Sequence, residues 1–69
     1  MPGAEVPTYE HDEPLPEGDG ILVPGSELPA AVLGGAVSFV HRPTGRRSAG
    51  VVVAFEEREG ETWVAVRYR

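Results

Sequence analysis

The sequence predicts an all-β protein: a small antiparallel meander of three to five strands that carries an extended N-terminal arm. Three observations predict it. The stretch 36–69 alternates with period two and is dense in valine and aromatic residues. Glycine, proline and short polar runs interrupt it at turn spacings. The first 20 residues hold Pro2, Pro7, Pro14 and Pro16 among acids and glycines, which excludes a regular helix or a central strand there.

The elements follow in order. Residues 1–19 read as an acidic, proline- and glycine-rich arm, extended or disordered in the free chain, with residues 20–69 as the β domain. Val6, Tyr9 and Leu15 are the arm's sizeable apolar side chains and candidate anchors that dock into grooves when the arm orders, with Tyr9 and Leu15 carried forward as binding residues. Residues 20–23 (GILV) form a short strand stopped by Pro24-Gly25. Ser26 is placed to cap a brief helical turn running to Val32, which Gly34-Gly35 would end.

Beyond this point the alternation is clear. Ala36-Val37-Ser38-Phe39-Val40 is a strand with Val37 and Phe39 on one face, followed by the turn Arg42-Pro43-Thr44-Gly45. Residues 50–55 (GVVVAF) form the next strand, Glu57-Arg58-Glu59-Gly60 a polar hairpin connection, and residues 62–68 (TWVAVRY) the last strand. Strict alternation would place Val51, Val53 and Phe55 inward with Val64, Val66 and Tyr68. The second face would then hold Val52, Ala54, Trp63 and Ala65, too apolar for a sheet face turned wholly to water. Something is expected to cover it: the arm, closure of the sheet, or another chain.

The features Gly35-x-Val37-x-Phe39, Gly45 in a turn, Gly50-Val51-Val52, a polar hairpin and Trp63-Val64-x-Val66 resemble a small SH3-like barrel of the KOW and Tudor kind. The resemblance spans residues 35–68. It departs from that pattern at Ala36, where such modules usually carry an acid. What it implies is a binding module rather than an enzyme.

Composition limits the chemistry. A chain of 69 residues buries only about 60% of its unfolded surface, and without cysteine it has no disulfide or thiolate–zinc staple. All six cations are Arg, and Lys, Asn and Gln are absent. Together with abundant Gly, Ala, Val and Pro, this points to a GC-rich bacterium or one of its phages. The net charge of −5 is unevenly spread. Residues 1–27 hold seven acids and no base, whereas residues 28–69 hold six Arg against four Glu. Such an arm would repel phosphates. No apolar run is long enough to span a membrane, and the first residues lack the basic and apolar regions of a signal peptide, so a cytoplasmic or virion-associated protein is expected.

Candidate chemical groups are few. Glu10-His11-Asp12-Glu13 offers metal ligands, but neighbours on an extended chain point opposite ways, so a solvated acidic run is the expectation. Gly18-Asp19-Gly20 is followed by no helix at phosphate-loop spacing, and no cofactor is expected. Ser26, Ser38 and Ser48 lie in no nucleophile elbow, and a body this small has little room for a catalytic pocket. No catalytic or metal residue is assigned.

The sharpest feature is the basic cluster His41, Arg42, Arg46 and Arg47 around the first hairpin turn. It is suited to a protein partner, the chain's own arm or a nucleic-acid backbone. Trp63 either plugs its own barrel, is covered by the arm, or anchors an interface. The expected function is a non-enzymatic structural or assembly protein that binds a larger complex or neighbouring copies of itself, such as a small phage virion accessory protein. Its binding residues would be Trp63, Arg42, Arg46, Arg47, Tyr9 and Leu15. The alternatives are a KOW-like module binding nucleic acid or the transcription or translation machinery through His41, Arg42, Arg46 and Arg47, and a small acidic inhibitor acting through the arm. The assembly reading rests on one premise: that the three-stranded meander buries too little by itself and borrows buried surface from beyond it.

Overall fold

The computed structural model describes residues 6–69, so the start of the arm, including Glu5, lies outside the described residues. The chain is all-β. Five strands form one curled mixed sheet, a half-barrel, in the order β1-β3-β4-β5-β2. They are β1 (Thr8–His11), β2 (Gly20–Pro24), β3 (Ala36–His41), β4 (Arg46–Arg58) and β5 (Glu61–Tyr68).

The meander β3-β4-β5 is antiparallel as expected, and β2 adds antiparallel to β5. The sheet as a whole is not. β1 pairs parallel with β3, Tyr9 beside Phe39 and His11 beside His41. The prolines of the arm flank this strand rather than break it, because Pro7 and Pro14 fall outside Thr8–His11. Part of the stretch read as an arm is thus an edge strand of the same sheet.

Two other expectations change. Residues 26–32 do not form a capped helical turn: a single 3-10 turn covers Gly25–Glu27, with no side-chain cap. Pro29 lacks the N–H that a continuing helix would need. The inner face also differs along β4. Val52 is buried there, while Val51 is half-buried and Val53 exposed. The cause is a register shift between Val52 and Ala54: Val52 lies opposite Val66, Ala54 opposite Ala65, and Phe55 opposite Val64. Val53 is the extra residue of a bulge, so Val52 and Phe55 come to share the inner face.

The core is aliphatic with one aromatic at its centre. Val23, Leu28, Val37, Phe39, Val52, Val64 and Val66 are buried, and Tyr9, Leu15, Ile21, Ala31 and Tyr68 pack against them. Gly50 is required beside Phe39, because a Cβ there would stand 2.7 Å from the Arg67 carbonyl oxygen and 3.0 Å from the Phe39 ring. The β4–β5 hairpin turns on Glu59 and Gly60, both at positive φ (51° and 79°), a pattern whose twist matches that of the strands.

β1 and β2 supply from within the chain the burial that the meander lacks. Tyr9, Leu15, Ile21 and Val23 all come from residues read as arm or as a short leading strand.

Candidate functional site

The first site to consider is where the arm meets the basic turn. The parallel pairing of β1 with β3 sets His11 beside His41, their rings stacked with centroids 5.2 Å apart, and Tyr9 also stacks with His11 at 5.9 Å. His11 is buried rather than solvated; its Nδ1 lies 2.6 Å from the Glu13 carbonyl oxygen. His41 bonds through Nε2 to the Asp12 carbonyl and through Nδ1 to the Thr44 hydroxyl. Arg42 grips the Asp12 carboxylate with two parallel bonds of 2.9 and 3.1 Å and reaches Glu10 at 3.8 Å. Its backbone N–H also donates to the His11 carbonyl. This is an internal latch: the acids and the basic turn satisfy one another within the chain.

The basic cluster is therefore divided. His41 and Arg42 are occupied by residues 10–13, while Arg46 and Arg47 are exposed at the start of β4 and alternate to opposite faces. Arg47 shares the outer face with Arg67 of β5, and no ion pair involves either among the described residues. Tyr9 and Leu15 dock into the chain's own core, Tyr9 edge-on to Phe39 with centroids 6.2 Å apart. The segment between β1 and β2 is fastened at its middle by Tyr68, whose hydroxyl donates to the Pro16 carbonyl at 2.8 Å. Burial holds the Tyr68 phenol above its ordinary pKa of 10.0.

Trp63 does not plug the barrel. Its neighbour Val64 faces inward, so Trp63 lies half-buried on the outer face, opposite Pro24 on one side and Glu56 on the other. Glu56 pairs with Arg58 at 3.0 Å, which surrounds the indole with hairpin charges. Along the same face a groove of about 390 Å³ has Leu22, Ala65 and Val53 on its lining and Arg67 and Arg58 among its charged residues.

Sequence reasoning missed a further feature. Among the described residues five large apolar side chains are exposed, four of them in the loop before β3 (Val32, Leu33) and on β4 (Val53, Phe55). The bulge puts Val53 outside. The loop before β3 is tied to β4 there, Gly34 N–H donating to the Val52 carbonyl at 2.8 Å and Val52 N–H to the Gly35 carbonyl at 2.9 Å. That ladder brings the loop against β4 at Val52 just after Val32 and Leu33. Phe55, on the inner-face side, lines a separate cleft with Leu28, Pro29, Ala31 and Val64. The uninterrupted Val51-Val52-Val53 was the available signal, since a run of three apolar residues cannot alternate.

Among the described residues no group of three or more His, Cys, Asp or Glu side chains is gathered to hold a metal, and no helix is long and apolar enough to cross a membrane. Comparison with protein-family models, curated proteins and solved structures gives no match.

Proposed function

We propose that the protein is a non-enzymatic assembly component that seats part of its surface on a larger protein complex, such as a phage particle, or on another copy of itself. The observation that carries this reading is the exposure of four large apolar side chains, Val32 and Leu33 in the loop tied to β4 and Val53 and Phe55 on β4 itself. The half-barrel closes its core without them, so their exposure answers no internal need. Several large apolar groups left exposed in neighbouring segments are the usual mark of a contact surface. Trp63, on the outer face of the same sheet, adds a residue type enriched at interface centres.

The histidines support a non-catalytic role. Their ring nitrogens bond to backbone carbonyls and to Thr44, so His11 and His41 act as pieces of the latch rather than as bases beside a serine.

A photo-crosslinking residue at position 53, compared with one at position 17 on the acidic segment, tests the proposal in an extract of the organism. Discrete protein adducts at 53 but not at 17 are expected. Identical adduct patterns at the two positions would refute it.

A second reading rests on Arg47 and Arg67, which share the outer face without an ion pair among the described residues and so remain available to phosphate. It predicts binding to single-stranded DNA or duplex RNA that falls steeply with salt. The acid beside Trp63 weighs against base stacking there, which leaves the protein-contact reading in front.

A further inference from the structure

β2 has a strand on one side only. Which of its backbone groups face the open flank follows from one bond. Tyr68 N–H donates to the Asp19 carbonyl at 2.8 Å, and the register Gly20↔Arg67 places these two residues directly opposite. In an antiparallel ladder hydrogen-bonded pairs alternate with non-bonded ones. Ile21 and Val23 therefore bond to β5, while Gly20, Leu22 and Pro24 aim their backbone groups away from it. Among the described residues no loop or strand supplies partners for them. The strand, GILVP, contains no charge. A short, uncharged edge is open to pairing with another strand.

We propose that β2 pairs with β2 of a second copy, antiparallel about a two-fold axis at Leu22, so that two half-barrels share one continuous sheet. This deepens the assembly role proposed above by naming a second copy as one partner. The pattern of groups about Leu22 is self-complementary. Each Leu22 N–H meets the Leu22 carbonyl of the other copy, and each Gly20 N–H meets the other copy's Pro24 carbonyl. The missing proline N–H falls at the end of the strand, where it forfeits least. Leu22 is on the outer face beside Ala65, so the two Leu22 side chains would meet across the axis and join the apolar strips of both copies.

The other edge favours this partner over a β1 contact. β1 carries Glu10 and leads into Asp12 and Glu13, so two β1 edges would set like charges together. Pairing β2 with β1 of the next copy is a heterologous contact, which gives a ring or an open fibre rather than a two-fold dimer.

The purified chain tests the proposal by sedimentation equilibrium, with Leu22→Glu and Leu22→Lys as variants. The wild type is expected to pass from monomer to dimer as concentration rises towards about a millimolar. Each variant alone should associate at least tenfold more weakly, and an equal mixture of the two should recover a heterodimer. The Leu22 amide should gain exchange protection with concentration while the Glu10 amide does not. A wild type that stays monomeric throughout, variants that associate like it, or a mixture that stays apart would overturn the pairing. A monomeric wild type that still gives position-53 adducts would leave the assembly role standing without this dimer.

Discussion

At one edge of the sheet β1 runs Thr-Tyr-Glu-His and is held by contacts that stay partly wet. Tyr9 is half-buried against Phe39, His11 stacks on His41, and Arg42 clasps Asp12 in the open. At the other edge β2 runs Gly-Ile-Leu-Val-Pro and is held by dry ones. Val23 is fully buried, Ile21 packs on the core, and Gly20 lies so close to β5 that a Cβ would stand 2.1 Å from the Val66 carbonyl oxygen. The difference separates two tasks that an edge strand performs. β1 keeps its outer flank soluble with charge and attaches through geometry that water can reach. β2 attaches through buried surface and leaves its flank uncharged.

The sharpest way to break the comparison is to place a charge at the inner position of each edge. Val23→Asp buries a carboxylate with no partner, at a cost of several kcal/mol. A domain this small has a stability near the lower end of roughly 5–15 kcal/mol. Loss of the cooperative thermal transition is the expected outcome. Tyr9→Asp should instead release β1 while β2–β5 stay folded, seen as exchange at residues 8–11 with protection kept along β4 and β5. Global unfolding by Tyr9→Asp would show that the two edges are equally integral.

Gly20→Ala comes next. The added methyl meets backbone rather than a movable side chain, so β2 must shift from β5, at about 1–3 kcal/mol. A lower Tm with exchange rising first at Ile21 and Val23 is the expected signature. An unchanged Tm would mean that β2 lies farther from β5 than the register implies.

This contrast also marks what was legible in the sequence. The meander was, because Val37/Phe39 and Val64/Val66 obey strict alternation and their burial follows from it. β2 was legible from GILV before Pro-Gly. β1 was not: four residues among prolines and acids carry no periodicity, and their pairing with β3 depends on His41 and Arg42, thirty positions away. The phase of β4 was lost for another reason. Three consecutive valines fit either face, and only the bulge at Val53 decides which of them goes inside. The same shift hid the exposure of Val53. The residue types of Tyr9 and Leu15 mark them as anchors, but the groove that takes them is the chain's own.

The segment joining the two edges gives a smaller effect with a pH signature. Tyr68→Phe removes the hydroxyl bonded to Pro16, worth about 1 kcal/mol at most for a partly exposed bond. Burial raises the phenol's pKa in the folded protein, so the folded state holds that proton more tightly than the unfolded chain. The resulting stability is full below pH 10.0, the ordinary value, and is lost as pH rises through the raised folded-state value. Wild type should therefore lose more Tm than Tyr68→Phe between pH 9 and pH 11. Parallel alkaline curves would show that Tyr68 is not buried enough to matter.

The smallest expected effect is at the latch itself. Arg42 and Asp12 are more than half exposed, and exposed pairs contribute about 0–1 kcal/mol even with bidentate geometry. Asp12→Asn should accordingly lower Tm by no more than a few degrees. The loss should shrink at high salt, because screening removes most of what the pair gives. Where the loss appears matters more than its size. Exchange at residues 8–12 should quicken, since the Arg42 amide bonded to His11 and the guanidinium on Asp12 hold the same strand end, while Ile21 and Val23 keep their protection. A salt-independent loss spread evenly over both edges would mean that the latch acts on the whole core, and that β1 is as deeply tied to it as β2.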